Sequence, residues 1–170
     1  VLGVTDVRNH IHVRYPRTAT VPTDDEIRTD VLNVLARSPD IAVSDIDVEV
    51  DAGRVTLNGS VDNYWKKAHA EDLVAGCLGV ISINNKLAIV PDRDFVDQDI
   101  ANEIVTAIDR NTLVDVDDVT VRVRDGVVTL SGTVPTYAAR RAAHDAALFT
   151  AGVRGVSNNI AVSAFMPSYA

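Results

Sequence analysis

Apolar positions along this chain follow two alternating periods, one helical and one extended, and the alternation occurs twice. Ile27, Val31, Val34 and Leu35 recur at i, i+4, i+7 and i+8, one stripe of a helix. Thr23-Asp24-Asp25-Glu26 before it has the form of a capping box, and Ser38-Pro39-Asp40 stops it. Ile46, Val48 and Val50 then alternate with Asp47, Glu49 and Asp51, which predicts a half-buried strand. Ala52-Gly53 predicts a hairpin turn, and Val55, Leu57, Gly59 and Val61 the returning strand. From Tyr64, the residues Ala70, Leu73, Val74 and Cys77 trace a second helix, expected to end at Gly79. A closing strand places Ile83, Leu87 and Ile89 on one face.

The same order returns, without a gap, at an offset of 73 residues: Ile27 falls on Ile100, Gly53 on Gly126, Tyr64 on Tyr137, Gly79 on Gly152 and Asn85 on Asn158. Two copies of one small unit follow each other. The expected fold class is α+β, each unit running α-β-β-α-β with two helices packed on one face of a three-stranded sheet. Gly59 and Gly132 fall at core parity, where a missing side chain is expected to let a helix approach the sheet.

A partial copy stands in front. Leu2 to Val13 matches the unit endings Leu78 to Ile89 and Ala151 to Val162, with Asn9, Asn85 and Asn158 in register. Residues 1–15 are therefore expected as an orphan β-strand, the terminal strand of a truncated unit whose body precedes it in a longer precursor. The remaining organisation is a linker at 16–22, units at 23–91 and 97–163, a short junction at 92–96 and a tail at 164–170.

Composition narrows the function classes. With 24 acidic and 16 basic residues the net charge is −8, and no basic block exceeds two residues, which disfavours nucleic acid. One cysteine excludes an internal disulfide. Few aromatics and many Val, Ile and Ala residues predict a tight aliphatic core with little room for a large ligand. No nucleophile elbow, phosphate loop or Cys–His pair at nucleophile spacing is present, so no catalysis and no cofactor are expected. Cys77 reads as a small core residue.

Gly53-Arg54-Val55-Thr56-Leu57-Asn58-Gly59-Ser60-Val61 and Gly126-Val127-Val128-Thr129-Leu130-Ser131-Gly132-Thr133-Val134, each followed by a Tyr-led helix and then Gly-Val…Asn, resemble the BON domain (bacterial OsmY and nodulation). Relatives of that kind include periplasmic proteins induced by osmotic shock, an outer-membrane lipoprotein that binds anionic phospholipid, and modules of secretins, mechanosensitive channels and a potassium-binding protein. The resemblance implies a bacterial source, a periplasmic or cell-envelope location and a non-enzymatic role in osmotic stress.

In the phospholipid-binding relative a helix with exposed aromatic and charged residues makes the contact. The matching segments here contain Tyr64, Trp65, Lys66 and Lys67, and Tyr137, Arg140 and Arg141. These seven are the candidate membrane- or partner-binding residues, for a phospholipid surface or a protein client. A shared tyrosine also reads as closing a core. No metal site is expected: His10 and His12 share a strand face without a third ligand. The alternative is self-assembly into oligomers or filaments, with Val7, Asn9, Ile11 and Val13 adding as a strand to another subunit's sheet edge.

Overall fold

The structure is a computed structural model that describes residues 6, 8–14, 21–92 and 95–163. The chain divides into two compact units, one of them His10–Asp92 and the other Arg93–Ala170 together with Val1–Asn9.

In the first unit α1 (Asp24–Arg37) begins at the expected box: Glu26 N donates to Thr23 Oγ1 at 3.3 Å and Thr23 N to the Glu26 carboxylate at 2.8 Å. These bonds hold the Glu26 carboxyl below its ordinary range, the Thr23 amide contributing most. A single 3-10 turn (Val43–Asp45) leads into β1 (Ile46–Asp51), which pairs antiparallel with β2 (Arg54–Val61). Helix α2 (Tyr64–Ala75) then crosses back to β3 (Ser82–Asn85) and β4 (Ala88–Ile89), both parallel to β2. The sheet order is β1-β2-β3, with β4 continuing beside β2. Ile27, Val31 and Leu35 of α1 and Ala70 and Val74 of α2 bury against Val48, Val55, Leu57 and Leu87.

The second unit repeats this plan with α3 (Asp97–Asp109), β5 (Val119–Arg124), β6 (Val127–Val134), α4 (Tyr137–Leu148) and β7 (Gly155–Val162), in the order β5-β6-β7. Helix α3 packs on α4; the first buries large Ile100, Ile104 and Ile108 and the second small Ala139, Ala143 and Ala147. Pairing bulky with small stripes lets two helices share one narrow sheet at interior packing density.

Both units therefore have the expected α+β architecture, with four local differences. Helix α2 stops at Ala75, capped by Gly76, because the chain tightens there into turns rather than running to Gly79. The closing strand of the first unit is interrupted at Lys86-Leu87, whereas β7 is continuous. Gly59 and Gly132 admit no helix: a Cβ there would lie 1.9 Å from the Asp45 carbonyl oxygen and 2.0 Å from that of Asp118, the residues that lead into β1 and β5. Finally, residues 8–14 join neither sheet, so the orphan strand has no ladder there; Ile11 is 82% and Val13 59% exposed. Val7, most of the 16–22 linker and the 164–170 tail lie outside the described residues.

Candidate functional site

The candidate residues sit at the starts of α2 and α4, where the chain leaves the long hairpin strand and turns back over the sheet. Each unit fixes this corner with the same polar clasp. Asn85 Nδ2 donates to the Lys67 carbonyl at 2.8 Å, and its Oδ1 accepts from Leu87 N at 3.3 Å. Asn158 does the same with the Arg140 carbonyl at 3.2 Å and Ile160 N at 3.1 Å. The basic side chain answers in return: Lys67 Nζ donates to the Leu87 carbonyl at 2.9 Å, and Arg140 Nη2 to the Asn158 carbonyl at 3.2 Å. Lys67 thereby fills the break between β3 and β4 with a charged donor. Hydrogen bonds from charged groups to backbone carbonyls are among the stronger ones in a fold, so these two cations bind helix to strand.

Lys66 is also engaged. Its position corresponds to the buried Ala139 of the second unit, and its side chain is only 21% exposed, with the ammonium 2.8 Å from Asp62 Oδ2. Burial opposes ionisation of Asp62, but the Lys66 hydrogen bond and charge, together with hydrogen bonds from Asn63 and from the Asp62 backbone, hold the carboxyl below its ordinary range. Trp65 is half-buried, its ring 6.0 Å from that of His69. Tyr64 is half-buried and Tyr137 is 41% exposed, so neither closes a core. Arg140 lies over the Tyr137 ring at 6.0 Å. Arg141 alone among the four cations extends into solvent, its side chain 76% exposed and 3.7 Å from Asp145.

Two features of the helices escaped the sequence reading. The first acid of each leading helix grips its hairpin turn: Asp24 accepts from Ala52 N at 2.9 Å and Gly53 N at 3.0 Å, and Asp97 from Asp125 N and Gly126 N at 2.8 Å each. Both turns hold their two central residues at positive φ, the geometry of a two-residue hairpin. Aspartates at the 73-residue offset were the signal for this grip. The second feature belongs to α3 and α4. A groove between them is lined by Ala107, Ala142 and Ala146, with Leu113 58% and Phe149 65% exposed at its end. Glu103, Arg110, Arg141 and Asp145 place both signs of charge along it. In the first unit Asp40 and Gly76 stand where the second has Leu113 and Phe149. Among the described residues no three His, Cys, Asp or Glu side chains come together as a metal site.

Cys77 is partly buried against the first core, Sγ 3.7 Å from the Leu73 carbonyl. Burial, and then the nearby Asp30 charge, push its thiol pKa up. The thiolate, the reactive form, is disfavoured.

Osmotically inducible protein Y of Escherichia coli (strain K12) is 29% identical over 143 residues, covering 81% of this chain and 71% of the relative. Two solved structures of CdsD, a structural protein of the type III secretion system of Chlamydia trachomatis, align at 12% identity over 79% of this chain and 91% and 96% of theirs. Their TM-scores are 0.36 and 0.37. The BON domain profile matches residues 23–91 and again 96–164, and the chain belongs to the BON domain family as a tandem of two units.

Proposed function

We propose that this chain is a non-enzymatic, envelope-associated stress protein of bacteria that holds a protein client along the α3–α4 face of its second unit. The exposed pair Leu113 and Phe149 at the end of an alanine-lined groove carries the reading. Large exposed apolar side chains, set among charges of both signs, suit a protein surface with its own mixed polarity. The osmotic-stress role follows the name of the relative, osmotically inducible protein Y.

A phospholipid surface is the second reading. It draws on Tyr64, Trp65, Lys66, Lys67, Tyr137, Arg140 and Arg141. Anionic headgroups need cations that can reach them, and Lys66, Lys67 and Arg140 are held within their own units. The net charge of −8 opposes the approach as well.

The test is suppression of aggregation of a reduced, unfolding reporter protein, with sedimentation on phosphatidylglycerol vesicles in parallel. Client holding predicts suppression that falls several-fold in Leu113→Ser/Phe149→Ser and no vesicle binding. Vesicle binding abolished by Trp65→Ala/Lys66→Ala/Lys67→Ala, with suppression absent, would give the phospholipid reading the lead.

A further inference from the structure

The two sheets carry opposite charge at equivalent edge positions. β1 presents Asp47, Glu49 and Asp51 to solvent, and β5 presents Thr120, Arg122 and Arg124. Each strand is the outer strand of its sheet and bonds only to β2 or β6 among the described residues. Across the bonded side most of these charges meet no counter-charge: Asp47 faces Asn58, Glu49 faces Thr56, Arg122 faces Thr129 and Arg124 faces Val127.

An exposed edge is a template for another strand unless its side chains forbid the match. Directly opposed like charges destabilise a strand pair and opposite charges stabilise it. β1 against a second β1 brings acid onto acid, and β5 against a second β5 brings arginine onto arginine. Antiparallel pairing of β1 with β5 sets Glu49 opposite Arg122, Asp47 opposite Arg124 and the remaining Asp51 opposite Thr120, all on one face. The ladder is also in phase. Glu49 and Arg122 hold the same place in identically registered hairpins, so their amides alternate in the same sense.

We propose that the β1 edge of one copy adds to the β5 edge of a second copy, joining their sheets antiparallel in the Glu49–Arg122 register. The charges select this pairing by disfavouring both symmetric ones. The contact is head to tail, so it closes into a ring or continues as a filament. It lies on the sheet edges and involves neither the α3–α4 groove nor the N-terminal residues Asn9, Ile11 and Val13.

Light scattering on the full chain over a wide concentration range tests it. The expected mass exceeds the monomer at low salt, grows with concentration, and falls at about 1 M salt, where the screening length is only ~3 Å. Asp47→Arg/Glu49→Arg and Arg122→Glu/Arg124→Glu each weaken association by tenfold or more, on the order expected for two reversed cross-strand pairs. An equimolar mixture of the two variants reassembles, since each supplies the edge that the other can accept. A chain that stays monomeric, or variants that keep the parent's mass, overturn the proposal. So does dissociation by Ile11→Asp/Val13→Asp with the charge reversals silent, which assigns assembly to the N-terminal segment. Client suppression is measured on the same samples, so loss of assembly with suppression intact separates this inference from the proposed function.

Discussion

Gly59→Ala isolates the tightest backbone approach in the first unit. Gly59 has φ of +122°, a region that side-chain-bearing residues rarely adopt, and pairs with Ile46 at the start of β1. The new Cβ would meet three backbone atoms: the Asp45 oxygen at 1.9 Å, its carbon at 3.0 Å and Ile46 Cα at 3.2 Å. No rotamer change can relieve that overlap; the 3-10 turn must shift by roughly 1.5 Å to restore van der Waals contact. Backbone strain of this kind costs about 1–3 kcal/mol, and displacing the entry to β1 brings the total to ~3–5 kcal/mol, at the upper end for single substitutions. A unit of this size has a stability of only about 3–10 kcal/mol. The substitution therefore removes a large part of it.

The single tryptophan, Trp65, belongs to the first unit and reports its unfolding alone. With a urea dependence of about 1 kcal/mol per molar, the fluorescence midpoint should fall by ~3 M or the unit should be unfolded in buffer. Gly132→Ala, whose Cβ would lie 2.0 Å from the Asp118 oxygen, repeats the experiment in the second unit, followed by circular dichroism. A Trp65 midpoint within about 0.5 M of the parent in Gly59→Ala would refute the reasoning.

Three further outcomes are expected. Asp97→Ala removes both acceptors of the 125–126 turn and should cost ~1–3 kcal/mol in urea unfolding, with faster amide exchange at Asp125 and Gly126; unchanged exchange there would sink the assignment. Cys77 should alkylate at least tenfold more slowly in the native protein than after denaturation, since burial and Asp30 disfavour its thiolate; equal rates would contradict this. Glu26 has a folded pKa below its unfolded value, so it adds stability above about pH 4.5 that is lost as pH falls through the folded value. Glu26→Gln should thus lower the Trp65-detected midpoint at about pH 7 and match the parent near pH 2, and a pH-independent difference would show that ionisation is not the cause.

What could be read from the sequence was local or periodic. The capping box at Thr23, the hairpins at Gly53 and Gly126 and the buried Ile27, Val31 and Leu35 of α1 depend on neighbours a few residues away and lie where the pattern placed them, while Leu32 rather than Val34 packs against the core beside them. The destinations of polar side chains did not follow so directly. Lys67 and Arg140 were visible as cations, but their acceptors are backbone carbonyls about 20 residues further along, on another element. No residue type announces a carbonyl. Gly59 and Gly132 had the parity of core positions, yet what approaches them is the main chain of Asp45 and Asp118 rather than a helix. Leu113 and Phe149 fell outside the stripes because exposure depends on where α3 and α4 end, and the polar or small residues at the equivalent places, Asp40 and Gly76, were the available clue.

The internal repeat supplies its own control for separating fold from function. Positions that keep their chemistry at the 73-residue offset have structural work to do in both units: Asp24 and Asp97 grip turns, Gly59 and Gly132 admit a carbonyl, and Asn85 and Asn158 clasp helix to strand. Even Lys67 and Arg140, first candidates for a headgroup contact, retain charge because each donates to its own strand. Residues that the two units need equally cannot be what distinguishes the surface of one from the other. The distinguishing chemistry lies where the copies diverge: acids of β1 against arginines of β5, and Gly76 against the exposed Phe149. The first difference makes two edges complementary, and the second gives one unit an exposed aromatic ring where its twin has only a glycine. Tandem duplication of one stable scaffold thus leaves the polar network common to both units to hold the fold, while the edges and helix faces are available to acquire different partners.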